Sequence, residues 1–522
     1  MSNRASRVGA ALALAAGLCS VTAQGQLSHE YATRAVVQDV GLPAIDRGLR
    51  DQDPPRPART ARTNIQGLTT DAADSPYLSG SVIVKFKDDA TRGAISAATA
   101  QVAGEVMSRS SWANFDIVDI PDHMDPEAAA AALRSRPDVE YAQPRYLNHA
   151  MARPNDTLYG NQWNFPAIDM ERAWDIQPGA SSDIVVAVLD SGMAFRSITL
   201  RYQRNSPFRP EPTAPVFPPL GTVTVPFAAA PELGESGSSR FVAPRDFIWN
   251  DDTPVDLDGH GTHVAGTIGQ LTNNGRGTAG MAYNVRLMPV KVIAGFWDDY
   301  FNSPIEGSDD VVARGIRYAA DNGADIINLS IGRETGGPAT VVIDAVRYAV
   351  QRGCFVVTAS GNTRAEGNAS NRLAEPAREI DGFVAVGAVG RTLDLAFYST
   401  TGPFLELAAP GGDQRQGGTS AGILQQTLDL DLVETYLRPV SQFVAPRADV
   451  FAYEYFQGTS MAVPHVSGLA ALLMQQGLTD PAVIEAAMKR FATDRGAPGP
   501  DNSFGFGLIN PRATLRGLGL AR

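Results

Sequence analysis

From about residue 180 onward, short apolar runs alternate with amphipathic ones, and this alternation constrains the fold more than any other feature. Residues 184–189, 285–293, 324–329, 354–359 and 383–389 each read as a buried strand. Between them, 308–322 and 338–352 read as helices. Ser308 stands where an N-cap belongs, and Gly323 and Gly353 stand where helices stop. Asp309 and Asp310 fill a first turn, where negative charge complements the helix dipole. Strand and helix in alternation imply an α/β fold, a mainly parallel, doubly wound sheet with helices on both faces.

A different texture precedes it. Residues 81–86 and 115–120 read as strands and 91–102 as a helix. A second, Ala-rich helix opens at Asp125-Pro126-Glu127, and 139–142 closes the module. This is a compact α+β unit of about 70 residues, small for independent stability. Residues 24–76 show no apolar period, and Asp51-Gln52-Asp53-Pro54-Pro55-Arg56-Pro57 reads as disordered linker.

The N-terminus has the order of a secretory signal. Arg4 and Arg7 precede an apolar run over 8–18, and Val21-Thr22-Ala23 offers a cleavage site after Ala23. That run is too short to span a bilayer comfortably, and no later segment is long and apolar enough. The chain is expected to be secreted. Cys19 would leave with the signal, so Cys354 would stand alone in the mature chain, without an internal disulfide. Cys354 begins an apolar run with no activating base nearby in sequence, which reads as a buried, inert thiol. The formal net charge of -12 argues against nucleic acid as the main partner.

Three segments carry chemistry. In Val186-Ala187-Val188-Leu189-Asp190-Ser191-Gly192 an apolar strand ends in an acid and a glycine turn. Carboxyl ends of strands are where open α/β sheets place active groups, although a lone Asp there could equally cap a turn. In Asp258-Gly259-His260-Gly261-Thr262-His263 a histidine emerges between glycines. In Gly458-Thr459-Ser460-Met461-Ala462 a serine opens a long apolar helix. The order Asp, His, Ser is that of subtilisin, and the three segments resemble the signature motifs of the subtilase family of serine peptidases, over about 150–515.

The resemblance implies that Ser460 is the nucleophile, His260 its general base and Asp190 the group that orients His260. Val357-Thr358-Ala359-Ser360-Gly361-Asn362 resembles the segment with the oxyanion-hole asparagine, which makes Asn362 the side-chain donor. Asn328-Leu329-Ser330-Ile331-Gly332 resembles the edge that pairs with an extended peptide. Ser330, Ile331 and Gly332 would therefore bind substrate, with Ala359, Ser360 and Gly361 lining the primary pocket. Residues 77–150 resemble subtilase propeptides, with a ferredoxin-like α+β fold, and 151–522 would be the catalytic domain. A monomer that cleaves proteins or peptides and its own propeptide is expected.

The family also suggests calcium. Asp246, Asp251 and Thr253 resemble ligands of a calcium loop in the thermitase branch. Asp156 and Asn274 resemble part of a second site, whose other acid should precede Asp246 but is not identifiable within the enlarged stretch 203–244. Calcium would be structural.

Other readings compete. His260 and His263 lie about one helical turn apart, as metal ligands can, without a third ligand at suitable spacing. Gly418-Thr419-Ser420-Ala421-Gly422 satisfies the nucleophile-elbow pattern of α/β-hydrolases, which would make an esterase with Ser420 and His465. The elbow needs a strand directly before it, and 411–417 reads as loop. A catalytically dead binding protein would be expected to lack one of the four polar groups, and none is missing. Residues 203–244 and 412–456 look like long excursions, which in compact domains are functional or disordered.

Overall fold

The computed structural model describes the strand Ala35–Val36 and residues 77–108, 114–121, 123–146 and 153–517. The expected signal at 1–23, nearly all of the linker at 24–76, and the span 147–152 around the expected maturation site lie outside the described residues. Ala35–Val36 pairs antiparallel with Leu200 and Arg201. By contacts the chain divides into two units, 66–151 with 512–522, and the remainder.

The smaller unit contains β1 (Tyr77–Phe86), α1 (Arg92–Gln101), β2 (Glu105–Ser108), β3 (Asp116–Asp119), α2 (Pro126–Arg134) and β4 (Val139–Tyr146). Its antiparallel sheet has the order β2-β3-β1-β4. Val82, Val84, Val118, Ala130 and Leu133 make its core. Asp125 caps α2 by accepting the amides of Glu127 and Ala128, and Pro126 needs no partner at the first helical position. The sequence reading missed β2, a four-residue strand too short to show a period.

The larger unit is built on seven strands: β5 (Val185–Asp190), β8 (Arg245–Asp246), β9 (Arg286–Lys291), β10 (Ile326–Leu329), β11 (Phe355–Ala359), β12 (Phe383–Val389) and β13 (Leu407–Pro410). Their order is β13-β12-β11-β10-β5-β9-β8, and every pairing is parallel. All residues of β5, β11 and β12 are buried, which explains why they lack polar alternation.

Helices cover both faces. Asn328 is in register with Val188, and Val290 with Leu189, so the two pairs point to opposite sides of the sheet. Ser467 on α7 (Thr459–Gln475) donates to Asn328 Oδ1 at 2.8 Å, which puts α7 on the first side. Gly315 on α5 (Asp309–Asp321) lies against Leu189, Val290 and Val292 on the other side. Beside α7 packs α3 (His260–Gly269), and beside α5 packs α6 (Thr340–Gln351). Ser308 holds the N-cap position of α5 without making the capping bond, because its hydroxyl donates to Asp310 Oδ1 at 2.5 Å instead.

The two enlarged stretches are ordered. The first contains most of a hairpin, β6 (Ile198–Arg204) with β7 (Gly221–Phe227). The second contains the hairpin of β14 (Ile423–Leu428) and β15 (Phe451–Phe456), and β15 leads directly toward Ser460. A short helix, α4 (Phe296–Tyr300), follows β9.

Candidate active site

The polar residues singled out in the sequence gather at the carboxyl ends of the central strands. Asp190 is the last residue of β5 and fully buried. Its Oδ1 accepts the Ser191 amide at 2.7 Å and lies 2.7 Å from His260 Nδ1. The imidazole keeps about a fifth of its surface exposed. The approach of α3 to β5 depends on glycine, because a Cβ on Gly261 would lie 2.1 Å from the Gly192 carbonyl oxygen. Burial pulls the His260 pKa down. The Asp190 charge and hydrogen bond, with Asp258 and Asp256, more than offset this and raise it to about 9.

Ser460 sits at the second position of α7, where the dipole is positive. Pro464 inside the helix has no N–H for the Ser460 carbonyl. Ser330 fills that gap, its hydroxyl donating to the Ser460 carbonyl at 2.9 Å. The Ser460 hydroxyl in turn donates to the Ser330 carbonyl at 3.1 Å. Ser460 must therefore turn its hydroxyl to engage His260, a rearrangement common between free and substrate-bound sites.

Asn362 follows β11. Its Oδ1 accepts the Thr459 amide at 2.9 Å and the Thr459 hydroxyl at 3.0 Å. An early helix amide has no partner within the helix, and Asn362 supplies one. The same contact fixes the amide orientation and leaves Nδ2 as a donor beside Gly458, just ahead of the nucleophile.

The two segments assigned to substrate are tied together by a residue that the sequence did not single out. Asn371 Nδ2 donates to the Ala359 carbonyl at 2.7 Å and to the Ile331 carbonyl at 3.2 Å, and its Oδ1 accepts the Arg333 amide. Gly332 leaves room for it, since a Cβ there would lie 2.2 Å from Asn371 Nδ2. Ser330, Ala359 and Ser360 are buried and Gly361 has φ 111°.

The competing residues are placed elsewhere. His263 is buried, with Nε2 3.0 Å from the Ile423 carbonyl and 3.1 Å from that of Glu454, and its ring stacks on Phe456 at 4.3 Å. Two carbonyl partners require an N–H there, so this nitrogen is no metal ligand. His465 is buried between Asn164 and the Met461 carbonyl. Ser420 lies exposed on a 3-10 turn, where its hydroxyl donates to the Gly417 carbonyl at 3.5 Å.

Two acidic neighbourhoods bear on calcium. Asp156 accepts the amides of Asn273 at 2.9 Å and Asn274 at 3.4 Å. Beside it stands Glu232, from the stretch 203–244 and 2% exposed. The side-chain amides of Asn274, with Nδ2 at 3.5 Å, and of Gln270 stand against its carboxylate, and Arg276 lies at the rim at 3.9 Å. Burial raises the Glu232 pKa and the Asp156 charge adds to this. Two buried carboxylates and an amide around a poorly neutralised space suit a hard cation. At the Asp246 loop, Asp246 Oδ1 accepts the amides of Ile248 and Trp249, and Asp251 Oδ1 accepts that of Thr253. There the buried Lys291 ammonium already acts on Asp246, so an added cation would compete with it. Among the described residues no three His, Cys, Asp or Glu side chains form a metal cluster.

A buried Asp paired with a His at the end of β5, and a Ser at the start of a helix packed on the same sheet, are thus in place. Residues 181–507 match the subtilase family, and the chain belongs to that family of serine peptidases. Residues 63–145 match the fervidolysin N-terminal prodomain. The chain is 32% identical to a thermophilic serine proteinase of Bacillus sp. (strain AK1) over 83% of its length and 86% of that protein. It is 30% identical to thermitase of Thermoactinomyces vulgaris over 62% of its length and 86% of that protein. The crystal structure of fervidolysin from Fervidobacterium pennivorans shares the fold, with a TM-score of 0.50 at 22% identity, over 85% of this chain and 62% of that one. The chain is a subtilisin-like serine peptidase of the thermitase-like kind, preceded by a prodomain. Among the described residues no helix is long and apolar enough to cross a membrane.

Proposed function

We propose that this peptidase is a secreted endopeptidase that works through Asp190, His260 and Ser460 and an acyl-enzyme. The observation that carries the reading is the 2.7 Å pair of Asp190 and His260 at the end of β5. In this scheme His260 Nε2 takes the Ser460 proton as Oγ attacks the peptide carbonyl. Asn362 Nδ2 and the Ser460 amide hold the resulting oxyanion, and His260 then protonates the leaving amine. Water repeats the sequence on the acyl-enzyme. Asp190 keeps the imidazole in the tautomer with its proton on Nδ1.

Residues 1–23 act as the signal and 77–150 as an inhibitory propeptide that the enzyme removes itself. The prodomain match and the signal-like order of the N-terminus support this reading. A docked module could also assist the slow formation of a parallel sheet. Calcium is proposed as a structural ion at Asp156, Asn274 and Glu232, with a weaker site at Asp246, Asp251 and Thr253. It takes no part in the chemistry.

The test is peptide cleavage by the purified processed protein. Ser460→Ala should abolish cleavage, and Ser420→Ala should keep most of it. N-terminal sequencing should place the active start between about 148 and 156. Equal loss in both folded variants would refute the nucleophile assignment, and processing that persists in purified Ser460→Ala would refute self-processing.

A further inference from the structure

A fully buried side-chain amide stands in the middle of the sheet. Asn328 belongs to β10, the fourth of the seven strands, and pairs in register with Val188 on one side and Val357 on the other. A polar group placed among apolar strands is costly unless its hydrogen bonds are made. The bonds that Asn328 makes lead to the nucleophile.

Asn328 and Ser330 are two residues apart along an extended stretch, so both turn to the face covered by α7. Ser460 and Ser467 are about two turns apart on α7 and share the face that meets them. Ser467 Oγ lies 2.8 Å from Asn328 Oδ1, and Asn328 Nδ2 lies 3.0 Å from Ser330 Oγ. Ser330 Oγ lies 2.9 Å from the Ser460 carbonyl oxygen. Asn328, Ser330 and Ser467 are all buried, where each bond counts for more than it would in water.

The carbonyl at the end of this series fixes the direction of every bond in it. A carbonyl oxygen only accepts, so the Ser330 hydrogen points at Ser460. Ser330 Oγ must then accept at its other contact, which turns Asn328 Nδ2 toward it and Oδ1 toward Ser467. Ser467 in turn must donate. The opposite amide orientation would draw the Ser330 hydrogen to Asn328 Oδ1 and away from Ser460.

The Ser460 carbonyl is a weak point of the helix. Pro464 withholds the N–H that this carbonyl would otherwise receive four residues on. One rung of α7 is thus missing at the nucleophile itself, and the Ser330 hydroxyl stands in for it. On the same pairing, the Ser460 hydroxyl rests 3.1 Å from the Ser330 carbonyl. It has to turn from there to His260 while the Ser460 backbone stays in place. We infer that Asn328, held by Ser467, is a positioning residue for the reaction. It keeps the Ser330 hydroxyl on the Ser460 carbonyl, and so sets the backbone from which Oγ and the Ser460 amide act. This rests on the reading of Ser460 as nucleophile, and the experiment separates the two.

The test is a double-mutant cycle on kcat with one peptide. Asn328→Leu nearly keeps the volume and removes the donor. It should lower kcat about five- to tenfold, the worth of one hydrogen bond. KM should stay within about twofold, because Asn328 is sealed beneath the surface and meets no substrate. Ser330→Ala should lower kcat by a similar factor. The two together should lower it no further, because Asn328 acts through the Ser330 hydroxyl. An amide that merely supported the core would add its loss in either background. The midpoint of kcat/KM against pH should be the same in all four proteins, since the Asp190–His260 pair is untouched. Ser467→Ala removes one hydroxyl and repeats the cycle if Asn328→Leu does not fold; its loss should likewise vanish in Ser330→Ala. Unchanged kcat in the single variants, or losses that multiply in the combined ones, would overturn the inference and leave the nucleophile assignment intact. A native protein that cleaves no peptide, or Ser460→Ala that cleaves as well as native, would instead overturn the peptidase reading and this inference with it.

Discussion

The raised pKa of His260 makes the pH dependence of turnover a direct test of the site. The free imidazole base must be neutral to accept the Ser460 proton, and kcat/KM reports its titration in the free enzyme. Asp190 at 2.7 Å, with Asp258 and Asp256, favours the charged form against the burial that opposes it, to about 9 from the ordinary 6.5. With a pKa of about 9, about 1% of the sites are competent at pH 7 and about half at pH 9, a rise of about fiftyfold. The same shift appears in stability. The folded pKa lies above the unfolded one, so the stabilisation is fully present below about 6.5 and disappears as pH rises through about 9. It amounts to about 3 kcal/mol. The assay is kcat/KM on one uncharged peptide from pH 6 to 10.5, paired with urea unfolding of Ser460→Ala at pH 6 and 10. The pH-linked part of that stability should shrink when Asp190→Asn is added. A rising limb with its midpoint at or below 6.5 would refute the claim that the carboxylates hold the imidazolium.

Asn362→Ala should lower kcat by about 10²–10³ with the fold intact, since one oxyanion donor is lost; unchanged turnover would remove Asn362 from the mechanism. Calcium should raise the melting temperature of Ser460→Ala relative to chelator, by about 2.7 kcal/mol in stability if calcium stands at a hundredfold its Kd. Glu232→Gln should remove most of that response, and an undiminished response would place the ion elsewhere. Thr427→Val removes the hydroxyl donor from the Gly259 carbonyl, which keeps the His263 amide as a partner, so the cost is about 0.5–1.5 kcal/mol. Turnover should fall and be restored by Thr427→Ser, and equal activity in all three proteins would show that this contact does not position His260.

The sheet was legible because strands such as 354–359 and 383–389 are apolar at nearly every position, which a strand buried on both faces requires. Asp190, His260, Asn362 and Ser460 were legible because each sits in a short local pattern of strand end, glycine or helix start. Glu232, Asn371 and Thr427 were not. Each acts on a residue distant in sequence: Glu232 on Asn274, Asn371 on Ile331, Thr427 on Gly259. No periodicity or motif announces such a partner. The stretch 203–244 read as a Pro- and Gly-rich excursion, and its hairpin is held by rings contributed from two other segments, so its order depends on tertiary contacts.

The β14–β15 ladder has a consequence for how this scaffold can vary. Its six pairs, from Ile423 with Phe456 to Leu428 with Phe451, run without a bulge. The open end of the ladder carries the excursion, and the closed end delivers the chain to Ser460. Closure entropy grows only slowly with loop length. Residues can therefore be added or removed between Leu428 and Phe451 while the pairing keeps its register and Ser460 its place. The hairpin behaves as a clamped lever whose free end can be refashioned for new substrates while its fixed end keeps the nucleophile in position.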